Sequence, residues 1–431
     1  MIPLGGNGSW DIIGSLLRDI PVPRMFPVRQ NFPRPAPMDV VDEITRQFAE
    51  RRIANPVRPG QTVAITVGSR GIVNMPLAVK TLAELIKKAG GKPFMVPAMG
   101  SHAGATAEGQ MAMIQGMGFT EEYIGAPIRS SMEVVQLGTT KNNLPVLVDI
   151  NAHEADHLII INRIKPHVCF RGDYESGLMK MIAIGLGKQR GADFAHELGF
   201  HKMHEHIPEI ARYALKRLKL LCAVGLVDSA HHETAICRVL LKDEIESGEP
   251  KLLAEAKALA AKLHFDKLDV LIIDEVGKNI SGSGFDTNVV GRYHSPCISG
   301  GPQIHRIAIL DISKESKGNG NGLGLADFTT KRAVEKFDFT QTYPNTLTAT
   351  LTGSVKIPMT LPNDREAIQA CLKTSNLIDR RDAAIVRIHN TLCLTEIEAS
   401  ENLRGYVMGH PDLEAIGDPR DLPFDSNGNL F

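Results

Sequence analysis

The chain has 431 residues, 43% of them hydrophobic, and 48 basic against 49 acidic residues leave a net charge of −1. That length exceeds one ordinary core and fits two or three domains; the charge balance gives no footprint for nucleic acid or an anionic membrane. Six scattered cysteines with no CxxC pair argue against a zinc knuckle, a ferredoxin-type cluster or a disulfide scaffold. The first residues lack the basic and apolar regions of a secretory signal. No run approaches the roughly 20 apolar residues of a membrane helix, so a cytoplasmic protein is expected.

Residues 1–60 are proline-rich around one helix, Met38–Arg52, and read as an extended arm of the first domain. Strands and helices then alternate. Gln61–Val67 is a strand, Met75–Ala89 a helix with Pro76 in its first turn, and Pro93–Met99 a strand. Thr106 caps a helix to Met117, with Glu108 favouring its positive end. Met132–Leu137, Pro145–Ile150 and His157–Ile164 read as strands of one doubly wound sheet. Ile207–Lys219 is a helix, Leu221–Val227 and Thr234–Leu241 are strands, and Glu249–Leu263 is helical from its Ala, Leu and Lys content.

A second unit begins near Asp266. Leu268–Glu275 is a central strand followed by the glycine-rich loop Gly277–Gly284. Arg306–Ile312 is a strand, Asp327–Phe337 a helix, Thr346–Ile357 a β-hairpin, Asp364–Thr374 a helix and Ala383–His389 a strand. The expectation is an α/β protein of two α/β domains with mainly parallel sheets, residues 1–265 and 266–431, and an active site in the cleft between them.

Open α/β sheets bind ligands beyond the carboxyl ends of their strands, and chemically capable side chains fall there. Arg70 follows the first strand and suits a carboxylate, although a turn arginine alone is commonplace. His102 follows the second, in the small-residue run Gly100–Thr106. His167 follows the strand at His157, aimed by Pro166. Two histidines at strand ends could face each other across a substrate as acid and base, or be unrelated loop residues. Lys180, among apolar residues, is placed either for a desolvated, reactive amine or for a snorkelling one. His196 follows sixteen residues after Lys180. His201, His204 and His206 read as a solvated helix approach, and Lys278 and Arg292 as loop cations of the second unit, Lys278 with the option of meeting an anion.

Taken in order, Arg70, Gly100-x-His102, Pro166-His167, Lys180 and His196 resemble the nickel-dependent lactate racemase family, over about Gln61 to Glu398. The resemblance implies a racemase or epimerase of a small 2-hydroxy acid, carrying a nickel pincer nucleotide made by dedicated cofactor-synthesis enzymes. It implies that Lys180 bonds the cofactor covalently, His196 ligates nickel, His102 and His167 alternate as general base and acid, and Arg70 holds the substrate. Lys278 is a further candidate substrate contact.

The chain departs from the family in a longer loop between His167 and Lys180, in Ser176-Gly177-Leu178-Met179 before the lysine, in Val67, and in having Trp10 as its only tryptophan. These changes point to a substrate other than lactate. Two rival readings use the same residues: a metal-dependent hydrolase, and a non-catalytic binder of an anionic metabolite.

Overall fold

The structure is a computed structural model and describes residues 10–69, 71–376 and 378–431. The chain divides into two compact units, one of residues 33–260 with 348–350, the other of residues up to Phe32 together with 261–347 and 351–431. Strand β1 (Met25–Gln30) belongs to the second.

The unit of residues 33–260 contains β2 (Thr62–Val67), β3 (Lys92–Pro97), β4 (Val134–Thr139), β5 (Pro145–Asp149), β6 (His157–Arg163), β7 (Leu220–Asp228) and β8 (Thr234–Leu240). Its main sheet runs β3-β2-β6-β7-β8, parallel through the first four strands, with β8 antiparallel to β7. Val63, Ile65, Val67, Ile159 and Ile161 are fully buried, as central strands covered by helices require. Helices Val40–Glu50 and Met75–Lys88 supply Ile44, Phe48, Val79 and Leu82 to the same core.

From β2 the chain first adds β3 on one side and later β6 on the other. The loops leaving β2 and β6 therefore flank the point where strand order reverses, which is where such sheets open a crevice. The expectation of one sheet fails for β4 and β5. They form their own antiparallel ribbon, and no β4 residue is fully covered, so that segment does not enter the core.

The second unit contains β9 (Lys267–Val276), β10 (Gln303–Ile312), β11 (Phe328–Thr330), β12 (Met359–Leu361), β13 (Ile385–Ile388), β14 (Glu396–Ser400) and β15 (Leu413–Ala415). Its sheet runs β12-β11-β10-β9-β13-β14-β1-β15, parallel from β12 to β13 and antiparallel thereafter. The arm expected of the first domain is corrected here. Met25 to Arg29 pair with β14, and Leu17 and Met25 join the core of Ile272, Leu310 and Ile385.

The hairpin expected at Thr346–Ile357 is a second correction. The segment is the end of a helix, Phe339–Ala349, followed by a turn at Thr352–Val355. Asp338 accepts the Thr340 and Gln341 amides at its start, at 2.8 and 3.2 Å. Phe339 and Tyr343 meet one helical turn apart. Among the described residues, no helix is long and apolar enough to cross a membrane.

Candidate active site

Each loop at the carboxyl edge of β2, β3 and β6 carries a candidate residue. After β2 come Gly68 and Ser69; Arg70 lies outside the described residues. After β3 comes His102, whose Nδ1 shares a hydrogen with the Ser69 hydroxyl. Ala103, Gly104 and Ala105 then adopt φ values of +56°, +69° and +55°. Left-handed backbone costs an alanine roughly 1–2 kcal/mol, so this turn persists only because its surroundings hold it.

Lys188 supplies part of that hold. It is fully buried at a φ of +54° and lies 3.1 Å from the equally buried Asp149. Its ammonium also donates to the Pro97 carbonyl at the end of β3, and to Gln110 Oε1 at 3.1 Å. Gln110 in turn donates to the Gly100 carbonyl at 2.8 Å. Burial drives Asp149 up and Lys188 down in pKa; their mutual attraction opposes both shifts, joined at Asp149 by the backbone amides of Ala152 and Asn151.

Beyond β6, the backbone amide of His167 donates to Glu175 Oε2 at 2.7 Å. Glu175 is itself buried and paired with Lys257 at 2.7 Å. The His167 ring is held on three sides. Phe170 lies against it at 4.3 Å between centroids, the Cys169 amide donates to Nδ1 at 3.1 Å, and Lys180 Nζ lies 2.6 Å from Nε2.

Lys180 sits in a short helix, Leu178–Lys180, that continues into a π turn, Met181–Gly185. Such turns widen a helix and often mark functional sites. Buried Glu249, from the helix Ile245–Leu259, accepts the Met179 amide at 2.8 Å and so caps this turn from behind. Gly177 makes room for it, because a Cβ there would lie 2.0 Å from Glu249 Oε1. Burial lifts the Glu249 carboxyl to about 8. Pro250, next in the helix, lacks the amide that would bond the Glu246 carbonyl, which accepts the Tyr174 hydroxyl at 2.8 Å instead.

The π turn ties the loops together. The Gly185 carbonyl accepts the Gly100 amide at 3.2 Å, and Gly68 packs against Met181. His196, in the helix Lys188–Glu197, donates from Nδ1 to the Ala192 carbonyl at 2.6 Å, leaving Nε2 with its lone pair. Burial and the charge of Lys180 both lower its pKa.

The structure thus joins Lys180 to His167 directly, brings His196 within reach of Lys180's field, and sets His102 against Ser69. Lys278 begins the loop after β9 in the second unit, where its Nζ donates to the Gly282 carbonyl at 2.7 Å. Arg292 is structural: it pairs with Asp327 at 2.5 Å and donates to three carbonyls. His206 departs from the solvated reading, since it is buried and its Nδ1 lacks a hydrogen-bond partner. Ser69, Glu175, Lys188 and Glu249 escaped the sequence reading. Of these, only Lys188, directly after Gly185-Leu186-Gly187, had a local signal in the sequence.

Residues 28–207 match the family model described as the lactate racemase N-terminal domain. That stretch of the chain is similar to the N-terminal domain of lactate racemase. The structure of the lactate racemase apoprotein from Thermoanaerobacterium thermosaccharolyticum is similar at a TM-score of 0.51 and 16% identity, over 86% of this chain and 99% of that one. At that identity the likeness speaks for the shared α/β fold. No curated protein matches.

Proposed function

We propose that this chain is a member of the lactate racemase family and a racemase or epimerase of a 2-hydroxy carboxylic acid, working with a nickel pincer nucleotide held by Lys180 and His196. The observation that carries the reading is the Lys180–His167 contact. The Cys169 amide occupies Nδ1, so a neutral imidazole bears its proton on Nε2, which faces Lys180 Nζ at 2.6 Å. Two donors cannot share that line, so one of the pair must give up its proton there, and a Lys180 amine that does so is the form able to attack an electrophilic arm of the cofactor.

The donor set fits the group. His196 points one nitrogen at a backbone carbonyl and keeps the other for a metal, the usual arrangement of a ligating histidine. A single imidazole is a poor site alone, and the pincer supplies the other ligands. When bound, the group provides an electrophilic ring carbon that takes up and returns the hydride of the substrate's α-carbon.

The chain's own residues do the rest. His102 and His167 remove and return the hydroxyl proton from the two sides of the substrate. The Ser69 hydroxyl fixes the ring of His102. Arg70 pairs with the substrate carboxylate. Cofactor-synthesis enzymes are the implied partners.

A hydrolase built from these histidines would need several protein ligands around one ion. Among the described residues, the group close enough to hold a metal is His264, His410 and Asp412, which includes none of the site histidines.

The test is inversion of enantiopure 2-hydroxy acids in D2O by the cofactor-loaded protein. Hydride transfer retains the α-hydrogen, so proton NMR is expected to show inverted product without deuterium at that carbon. Deuterium at the α-carbon would overturn the hydride route in favour of two-base proton abstraction.

A further inference from the structure

We propose that His264, His410 and Asp412 form a binding site for a borderline divalent cation of the zinc or nickel kind, sharing no residue with the Lys180 and His196 region. His264 lies between the helix Ile245–Leu259 and β9; His410 and Asp412 lie between the helix Arg404–Gly409 and β15. Residues 146 positions apart in sequence thus present donors to one spot, with one ligand atom of each within 4.8 Å of the others. His264 Nδ1 is 3.9 Å from Asp412 Oδ2, and the two imidazole centroids are 5.1 Å apart at an interplanar angle of 62°.

His264 is fixed in place. Its ring stacks on Phe32 at 5.4 Å, its amide donates to Gln30 Oε1 at 3.0 Å, and its carbonyl accepts the Tyr406 hydroxyl at 2.9 Å. Its side chain is only 6% exposed, yet Nε2 is buried without a hydrogen-bond partner among the described residues. An imidazole with so much of its surface covered and a nitrogen unsatisfied carries a cost that ring packing alone does not remove.

The other two donors are adjustable. Asp412 is half exposed, and His410 Nδ1 accepts the Asp412 amide at 3.1 Å. Binding a metal through Nε2 of His410 would shift its proton to Nδ1 and release that surface bond. Donors around a metal with bonds of about 2.1 Å sit roughly 3.4 Å apart, so His410 and Asp412 must close in by about an ångström. Two imidazoles and one carboxylate suit zinc, nickel or cobalt rather than calcium or magnesium, and leave coordination positions for water.

The test is equilibrium dialysis of the full-length, cofactor-free protein against zinc and nickel chloride, with metal analysis of the retained ion. One ion per chain is expected, retained in His196→Ala and bound at least about tenfold more weakly in His410→Ala and Asp412→Asn. Asp412 is exposed and His410 half-buried, neither forms the Phe32 stack, and circular dichroism of both variants checks that they fold. A protein that retains no ion, or one whose retained ion is lost in His196→Ala and unaffected in His410→Ala, would overturn the proposal. Because no step uses the pincer nucleotide, failure here leaves the proposed racemase reading untouched, and the reverse also holds.

Discussion

Lys180 Nζ lies 2.6 Å from His167 Nε2 while the Cys169 amide occupies the ring's other nitrogen. Cofactor attachment would turn the Lys180 amine into an amide-type nitrogen without a basic lone pair. The His167 proton then loses its acceptor and becomes available to a substrate hydroxyl. On the proposed reading, one contact would serve two stages, first activating the lysine and then releasing the histidine.

The first prediction concerns the unloaded protein. A neutral amine reacts with acylating reagents at neutral pH while ordinary lysines remain protonated. Lys180 is expected to label ahead of the exposed lysines, and His167→Leu to slow it by about tenfold, read by peptide mass mapping. Labelling of Lys180 that lags the surface lysines would contradict the hydrogen-bond assignment.

Glu249 gives a pH prediction. Burial raises its carboxyl from 4.5 to about 8, so between those values the folded chain holds a proton that the unfolded chain has lost. Stability from this group therefore falls as pH rises from about 4.5 towards 8 and is level above that. Glu249→Gln is expected to flatten that slope in urea titrations while preserving the cap on the Met179 amide. Glu249→Ala is expected to cost about 1–2 kcal/mol through the lost cap. A slope unchanged in Glu249→Gln would show that the carboxyl titrates normally.

The Lys188–Asp149 pair predicts a double-mutant cycle. Leaving one buried charge without its partner costs about 3–5 kcal/mol, whereas replacing both by apolar residues costs far less. Lys188→Met is therefore expected to be strongly destabilising, and Lys188→Met with Asp149→Leu to recover most of the loss in chemical denaturation. Additive losses would mean that the two charges act independently.

The left-handed turn after His102 predicts the opposite sign. Ala103→Gly and Ala105→Gly relieve a positive φ and are each expected to stabilise by about 1 kcal/mol. Both are also expected to lower turnover, because a looser turn positions His102 less well. Destabilisation by both substitutions would show that the turn is not strained.

Much of the scaffold was legible in the residues. Apolar runs such as His157–Ile161 and Leu268–Glu275 announce central strands, and the small or proline-bearing loops after them lie at the strand ends where such sheets bind ligands. Long-range pairing was not legible: nothing local in Met25–Gln30 says that its partner is Glu396–Ser400. Thr346–Ile357 misleads because alternating threonines favour strands, while the Asp338 cap and the Phe339–Tyr343 pair decide for helix. Candidate chemistry stood out because Lys180, His167 and His196 are conspicuous types in conspicuous places. Glu249 and Lys188 did not, since each looks like an ordinary charge on a helix until folding buries it against a backbone that needs a partner.

The account rests on Lys180 as the point of cofactor attachment. Its most direct test is peptide mass mapping of active protein made together with the cofactor-synthesis enzymes. A nucleotide-derived adduct on Lys180 is predicted, absent from an inactive Lys180→Ala protein. Catalytically active protein whose Lys180 carries no modification would contradict it.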